Sequence, residues 1–236
     1  MLEFFEGFGN EFFTNFIKYD RWKTILSGLC NTVLITLAAI LIGLAIGTII
    51  ALIKVSYTNS AKPNILLKIL NAVATLYLTI IRGTPVLVQL LILYYSILSS
   101  GTSSLTAAMI GFGINSGAYV AEVIRGGIQS VDRGQMEAGR SLGLPYRTTM
   151  IKIIFPQALK NILPPIGNEF IALLKETSVA GYIGVAELVK SGDSIRNTTY
   201  SSYPLYAEAV IYLVIVIILT FLLGVLERRL RKSDKR

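Results

Sequence analysis

Polar side chains at helical spacing inside apolar segments are the residues through which this chain could do chemistry. Asn115, Tyr119 and Glu122 follow one another at i, i+4 and i+7 within the apolar segment 105–127, so all three share one helix face. A charged side chain at the centre of a bilayer costs about 2.5–3.5 kcal/mol on insertion scales. This face should therefore line a water-filled path for a polar solute, or hydrogen-bond to neighbouring helices.

A second polar face occurs in the segment 161–189. Amide or cationic side chains recur there every seven residues, and a carboxylate directly follows two of them. We expect this face, like the first, to meet protein or water rather than lipid. The run 175–178 is expected to form a gate or an intramembrane ion pair. The path candidates of this segment are Asn168 and Glu169, and the gate candidates are Lys175, Glu176, Thr177 and Ser178.

Composition places these faces in a membrane protein. Of the 236 residues, 53% are hydrophobic and only 15% are charged, whereas soluble domains carry roughly 25% charged residues. The segment 24–53 has no charge. As a helix it would measure about 45 Å, which exceeds the bilayer core of about 30 Å. Histidine is absent and Cys30 is the single cysteine, which argues against a metal centre and a disulfide framework.

Five helical crossings are predicted to position the polar faces, in an all-α membrane fold with no repeat and no soluble domain. The apolar segment 63–99 is broken at Pro85, because proline disfavours helix in the residue before it. We expect 64–81 to be an amphipathic helix that enters from the cytoplasmic side and 85–99 to cross, although two separate elements also fit. The segment 190–203 is expected to be an outer loop. The predicted crossings are 24–53, 85–99, 105–127, 161–189 and 204–226.

The distribution of basic residues predicts the orientation of the chain. The net charge is +8, with 22 lysines and arginines. If the N-terminus is outside and the C-terminus is cytoplasmic, 15 of these 22 lie inside and five lie outside, as the positive-inside rule requires. This distribution favours a membrane protein over a nucleic-acid-binding one. The predicted division is an interfacial helix at 1–23, a membrane domain at 24–230 and a basic cytoplasmic tail at 231–236.

The segment 137–156 is a basic, amphipathic insert between two crossings, and a chain needs no such insert to span lipid. Asp132 with Gln135 predicts the start of a helix and Gly143 its end, and Pro145 fits the first turn of a second short helix. The resulting helix–turn–helix, at about 130–156, is expected to touch a partner outside the bilayer. Its corner residues are Glu137, Ala138, Gly139, Ser141, Leu142 and Gly143.

The insert resembles the cytoplasmic coupling loop of ABC importer permeases. That pattern is Glu-Ala-Ala, three residues, Gly, nine residues, Ile, one residue, Leu-Pro. In this chain Gly139 and Phe155 stand where the family usually has Ala and Leu. Two further segments, 82–85 with Gln89 and 173–178, resemble the polar amino-acid branch of these permeases, the histidine, glutamine and arginine type. The matching positions of the coupling loop are Glu137, Ala138, Gly143, Ile153 and Pro156.

The resemblance implies a type I ABC importer permease in the cell's inner membrane. It implies a two-fold dimer of identical or related permease chains, two ATPase subunits and an extracytoplasmic binding protein that delivers an amino acid. The chain itself would be non-catalytic and without a cofactor, because it has no phosphate-binding loop of the Walker type. ATP and magnesium would bind to the ATPase.

The resemblance also suggests roles for single residues. Gln89 would belong to the substrate path, and Arg82 and Pro85 to a gate or structural lock, although Arg82 could equally be a snorkelling anchor.

The carboxylates Glu122 and Glu169 favour a cationic amino acid as the substrate, because a charge in low dielectric persists only with a partner. A secondary transporter or a channel-like subunit is the alternative, but neither would have a use for the coupling loop.

Overall fold

The structure, a computed structural model, describes residues 9–98 and 101–232, and within these ranges it contains helices and turns but no strand. The interfacial helix predicted for 1–23 and the tail predicted for 231–236 lie outside the described residues at 1–8 and 233–236. The helices are α1 (Arg21–Thr58), α2 (Ile65–Gly83), α3 (Val86–Ile92), α4 (Ser104–Gln129), α5 (Arg133–Ser141), α6 (Tyr146–Thr149), α7 (Phe155–Glu176), α8 (Leu188–Thr199) and α9 (Tyr203–Lys232).

Shorter turns of other helical types join some of these helices. Residues 9–12 are helical, and two such turns connect them to α1. In the second of these turns Tyr19 and Asp20 have φ of 58° and 57°. A turn in this left-handed region is uncommon outside glycine and changes the chain direction before α1 begins. The π-helical turns are Phe13–Ile17, Leu93–Ile97 and Met150–Ile154, and the 3-10 segments are Lys18–Asp20 and Thr177–Ile183.

Small residues on α1 allow α4 to approach it closely. A Cβ atom added at Gly43 would lie 2.9 Å from the Ser116 Oγ, and one added at Gly47 would lie 2.6 Å from a methyl carbon of Val120. Real Cβ atoms do not come so close, so glycine is required at both positions. The period of four residues between these glycines is typical of helix–helix contacts in membranes.

The break at Pro85 produces two separate helices. Asn64 caps α2 by accepting a hydrogen bond from the Leu67 amide at 2.8 Å, and Thr84 after the helix is extended with φ −125° and ψ 148°, as expected before a proline. By length and composition α2 can cross a membrane, whereas the apolar helix Val86–Ile97 is shorter. The predicted break at Pro85 is therefore confirmed and the segment consists of two separate elements, whereas the expectation that 85–99 crosses and 64–81 enters from the cytoplasmic side stays a prediction.

The region 155–203 differs from the sequence-based prediction in two ways. The crossing predicted at 161–189 has other bounds, because the helix α7 runs over Phe155–Glu176 and a 3-10 segment follows it. The outer loop predicted at 190–203 is also wrong, because most of it belongs to α8. The buried residues of α8 follow at i, i+3, i+4 and i+7, the period of an amphipathic helix. They are Leu188, Ser191, Gly192 and Ile195.

Among the described residues, four helices are long and apolar enough to cross a membrane: Gly9–Thr58, Ile65–Gly83, Ser104–Gln129 and Tyr203–Leu230. The helix α7 is not among them. It carries Pro164 and Pro165 in its interior together with the predicted polar face. The chain thus has the several apolar helices of a multi-pass membrane protein.

The chain divides into two compact units. The first contains the described residues up to Ala39, Val86–Phe112 and Ala172–Leu219, and the second contains Ile40–Pro85, Gly113–Ile171 and the residues from Thr220 onward. In the first unit, Ile25, Leu188 and Ile195 form a core against Phe16, Leu29, Ile211 and Tyr212. In the second unit, Leu78, Ala118 and Ala121 pack against Ile50, Tyr77 and Ile81.

Candidate functional site

The second unit brings the predicted site residue Arg82 close to two others, Tyr119 and Glu122. Glu122 on α4 forms a salt bridge with Arg125 one turn further along the same helix. Arg82, at the end of α2, places its Nη1 atom 3.9 Å from the Glu122 Oε2 atom, and its guanidinium lies 5.7 Å from the centre of the Tyr119 ring. Arg125 therefore neutralises Glu122, and Arg82 is a second, more distant cation. Arg125 is a partner that the sequence analysis missed, although its spacing of three residues from Glu122 is a helical pairing interval.

A second polar contact in this unit joins α4 to α7. The Ser116 hydroxyl, which is buried, donates a hydrogen bond to the Glu169 Oε1 atom at 3.1 Å. Asn115 beside it is 3% exposed, so neither residue faces lipid. Asn168 is exposed. The contact links both predicted polar faces through Ser116, a residue whose short side chain gave no signal in the sequence.

The remaining path and gate candidates, apart from Pro85, lie in the first unit. Gln89 is half-buried on α3, and Lys175 and Glu176 are exposed at the end of α7. Thr177 is fully buried and donates to the Leu174 carbonyl at 2.7 Å. Ser178 lines a cavity of about 510 Å³ that also contains Glu187 and Asp193. Within the described ranges no salt bridge involves Lys175 or Glu176, so a gate role for them stays a prediction.

Two buried carboxylates in the first unit were not predicted as a site. Glu187 is fully buried and accepts hydrogen bonds from the Val189 and Lys190 amides at 2.8 and 2.7 Å, which caps α8. Burial raises the pKa of Glu187, and the two amides act in the opposite direction. Glu208 on α9 is 5% exposed, and its carboxylate packs against Gly192 of α8. These contacts join α8 to its neighbours and are structural.

The corner predicted between α5 and α6 has the expected local structure. Asp132 caps α5 by accepting from the Gly134 amide at 2.6 Å, rather than through a reciprocal pair with Gln135. Gly143 has φ of 80°, the left-handed conformation that ends a helix most easily at glycine. Leu142 is 81% exposed, and Glu137, Ala138 and Ser141 are also exposed. The corner therefore presents an accessible surface.

Gly139 is the buried member of this corner. A Cβ atom added there would lie 2.5 Å from the Thr149 Cγ2 atom, so alanine does not fit between α5 and α6. The departure from the usual Glu-Ala-Ala pattern is thus a packing feature that Thr149 imposes. Gly139 holds the two helices together and is not part of the accessible surface.

Comparison with known proteins extends over most of the chain. Residues 60–232 match a family described as binding-protein-dependent transport system inner membrane component. The arginine transport system permease protein ArtQ of Bacillus subtilis is 37% identical over 89% of this chain and 94% of its own length. A putative glutamine transport system permease protein GlnP of Rickettsia typhi is 36% identical over 90% of this chain and 95% of its own length.

Solved structures show the same similarity. A crystal structure of an amino acid ABC transporter with histidines has a TM-score of 0.81 and 42% identity, covering 90% of this chain and 96% of that one. The MetNI methionine ABC transporter in an inward-facing conformation has a TM-score of 0.77 at 19% identity, covering 90% and 98%. The second likeness concerns the fold alone, and both structures share the all-helical arrangement described above.

Proposed function

Because the chain belongs to the family of binding-protein-dependent transport system inner membrane components, we propose that it is the permease through which an ATP-driven importer moves a polar L-amino acid. The chain is a non-catalytic permease subunit of the cell membrane, and the ATPase is a separate protein. The observation that carries the amino-acid proposal is the 42% identity to an amino acid ABC transporter along 90% of this chain. The polar contacts on α4 and α7 are consistent with a polar solute.

The proposed substrate has a cationic side chain, as in arginine. Of the two carboxylates considered, Glu122 is neutralised by Arg125 and has Arg82 as a second cation nearby, so it offers little to a cationic substrate. Glu169, which accepts a hydrogen bond from Ser116, is the second carboxylate that the proposal considers. The proposal for a cationic side chain is supported by the arginine permease among the relatives, and Glu169 is the carboxylate through which it can be tested.

The proposed topology has five crossings, formed by α1, by α2 and α3 as one segment broken at Pro85, and by α4, α7 and α9, with the N-terminus outside and the C-terminus in the cytoplasm. It is supported by the 15-to-five distribution of basic residues. A labelling experiment tests it. The exposed Cys30 is first replaced by serine, and a reporter is introduced by Ser141→Cys or Ser202→Cys. An impermeant thiol reagent outside intact cells should label Ser202→Cys alone, and the reverse pattern would refute the topology.

The proposed assembly is two permease chains, two ATPase subunits that bind ATP and magnesium, and an external binding protein. The corner between α5 and α6 would fit into the ATPase through its exposed residues, and among these Glu137 can pair with a basic group. The test is uptake of radiolabelled L-arginine by proteoliposomes that contain the assembled complex. Uptake should require ATP and the binding protein and persist with a proton ionophore. Uptake that follows a proton gradient without ATP would favour a secondary transporter instead.

A further inference from the structure

We propose that the second unit contains a carboxylate-binding station formed by Lys54 and Arg82, separate from the contact between Ser116 and Glu169. The station is an open cavity of about 520 Å³, here called the basic cavity. Three helices form its walls, α1, α2 and α4. The polar side chains that line it are Lys54, Thr75, Thr79, Arg82, Tyr119 and Glu122.

The charge balance of the basic cavity favours an anion. Glu122 is the one acid among its lining residues, and its closer partner is Arg125, whereas Arg82 approaches it only to 3.9 Å. The Arg82 side chain is 46% exposed, so it can reach a ligand. Lys54 donates from its Nζ atom to the Thr75 hydroxyl at 2.9 Å, an uncharged partner. Since Arg125 neutralises Glu122, the positive charges of Lys54 and Arg82 remain uncompensated at the cavity.

The hydroxyl groups complete the set of donors. Thr75 and Thr79 each donate to the backbone carbonyl four residues earlier, which holds their oxygens on the face of α2 that also carries Arg82. Two cations and two hydroxyl groups that line one cavity suit a carboxylate or a phosphate group.

The walls favour a water-soluble anion over a lipid headgroup. Leu78 is the one aliphatic side chain among the lining residues, so an acyl chain attached to a bound phosphate would have almost no apolar wall. The exposed apolar residues of α2, such as Ile69, Val73 and Leu76, do not line the cavity. The ligand class that fits is a free carboxylate. This inference rests on the proposed function, in which the α-carboxylate of the transported amino acid supplies that group.

A reporter thiol in the cavity tests the inference without any transport. The permease, assembled with its ATPase, carries Cys30→Ser and Thr79→Cys, and the rates of modification by an anionic and a cationic methanethiosulfonate reagent are compared. The anionic reagent should react about tenfold faster relative to the cationic one, because a cationic cleft concentrates anions by that order or more. Both reagents attack the same thiolate, so their ratio cancels any change in its reactivity.

Three comparisons decide the result. Lys54→Met should abolish the preference for the anionic reagent, and Lys54→Arg should retain it. Lys68→Met should leave the preference unchanged, because it removes a charge from α2 outside the cavity. Millimolar acetate or L-arginine should slow the anionic reagent, whereas agmatine, which lacks the carboxylate of arginine, should not. Equal protection by agmatine, or a preference that survives Lys54→Met, would overturn the inference.

The lipid alternative is measured in the same assay. In nanodiscs of phosphatidylcholine or phosphatidylglycerol, the rate for the anionic reagent is divided by the rate at a Ser141→Cys reporter outside the cavity, because an anionic bilayer repels an anionic reagent at every site. A carboxylate station should give the same relative rate in both lipids, and a relative rate that falls only with phosphatidylglycerol would assign the cavity to a lipid headgroup and overturn the inference. Labelling requires neither uptake nor the binding protein, so failure of the station and failure of the proposed transport function give separate results.

Discussion

The two units hold their carboxylates in contrasting ways. In the first unit, Glu187 and Glu208 are almost completely buried, and they contact a helix N-terminus and a glycine of α8. In the second unit, Glu122 is partly exposed and contacts two arginines, one of them at 3.9 Å. The backbone amides that bind Glu187 are held in place by α8. The long side chain of an arginine, in contrast, can adopt other rotamers and contact other partners.

This difference in partners separates carboxylates that have a structural role from carboxylates that can take part in transport. Charged groups inside a membrane protein are functional candidates by default, but the type of partner decides between the two roles. A carboxylate held by backbone groups stabilises one conformation, as Glu187 does for α8. A carboxylate held by long cationic side chains, such as Glu122, influences how far those cations are available to a moving solute.

The largest effect should come from crowding the buried carboxylate of the first unit. A Cβ atom at Gly192 would overlap the Glu208 carboxylate, so Gly192→Ala should lower stability by about 1–3 kcal/mol, the range for overpacking. The matched control is Gly224→Ala on α9, where the nearest atom is 3.9 Å away. Thermal unfolding followed by size-exclusion chromatography measures both. Equal stability of the two variants would remove the structural role of this contact.

A large effect on transport, without loss of folding, should come from Glu169→Gln. A hydrogen bond to a charged group contributes roughly 1.5–3 kcal/mol, so losing the charge should lower uptake of L-arginine about tenfold or more while basal ATP hydrolysis changes little. Glu122→Gln should lower uptake less, because Arg125 already neutralises Glu122. If both variants transport L-arginine at the parental rate, neither carboxylate meets the substrate.

A moderate effect should follow from placing the usual alanine at Gly139. The added methyl group would overlap Thr149 and move α5 away from α6. The amount of L-arginine imported per ATP hydrolysed should therefore fall. Thr149→Ser in the same chain removes the methyl group in the way and should restore uptake. A Gly139→Ala variant that couples normally by itself would show that this packing does not shape the corner.

The smallest effect should come from Ser116→Ala. It removes one uncharged donor to Glu169, and such a hydrogen bond contributes about 0.5–1.5 kcal/mol. Uptake of L-arginine should fall by a few-fold at most, with assembly unchanged. A loss larger than that of Glu169→Gln would mean that Ser116, and not the carboxylate, is the group that acts on the solute.

Features that depend on local chemistry could be predicted from the sequence, and features that depend on distant contacts could not. The close approach at Gly43 and Gly47, the cap at Asp132 and the left-handed Gly143 follow from spacing and residue type. The helix α8 was missed because small and polar residues, Ser191 and Gly192, hold two positions of its buried face. Its period of three and four residues was nevertheless present in the sequence.

The partners of the candidate site show the same limit. Arg125 could have been found from its spacing to Glu122, but Ser116 and Glu169 are 53 residues apart, and only the fold brings them together. The departure at Gly139 likewise has its reason in Thr149, on the next helix. Tertiary neighbours decide which polar residues meet.

The central claim is that this permease converts ATP hydrolysis on a partner chain into amino-acid uptake through its exposed corner. The direct measurement is the ratio of L-arginine imported to ATP hydrolysed in proteoliposomes, for the parental complex and for Glu137→Lys. The parental complex should import L-arginine only with ATP, and Glu137→Lys should remain folded and assembled with its ATPase while the ratio falls, because the charge reversal replaces attraction by repulsion. An assembled Glu137→Lys complex that imports L-arginine at the parental ratio would contradict the account.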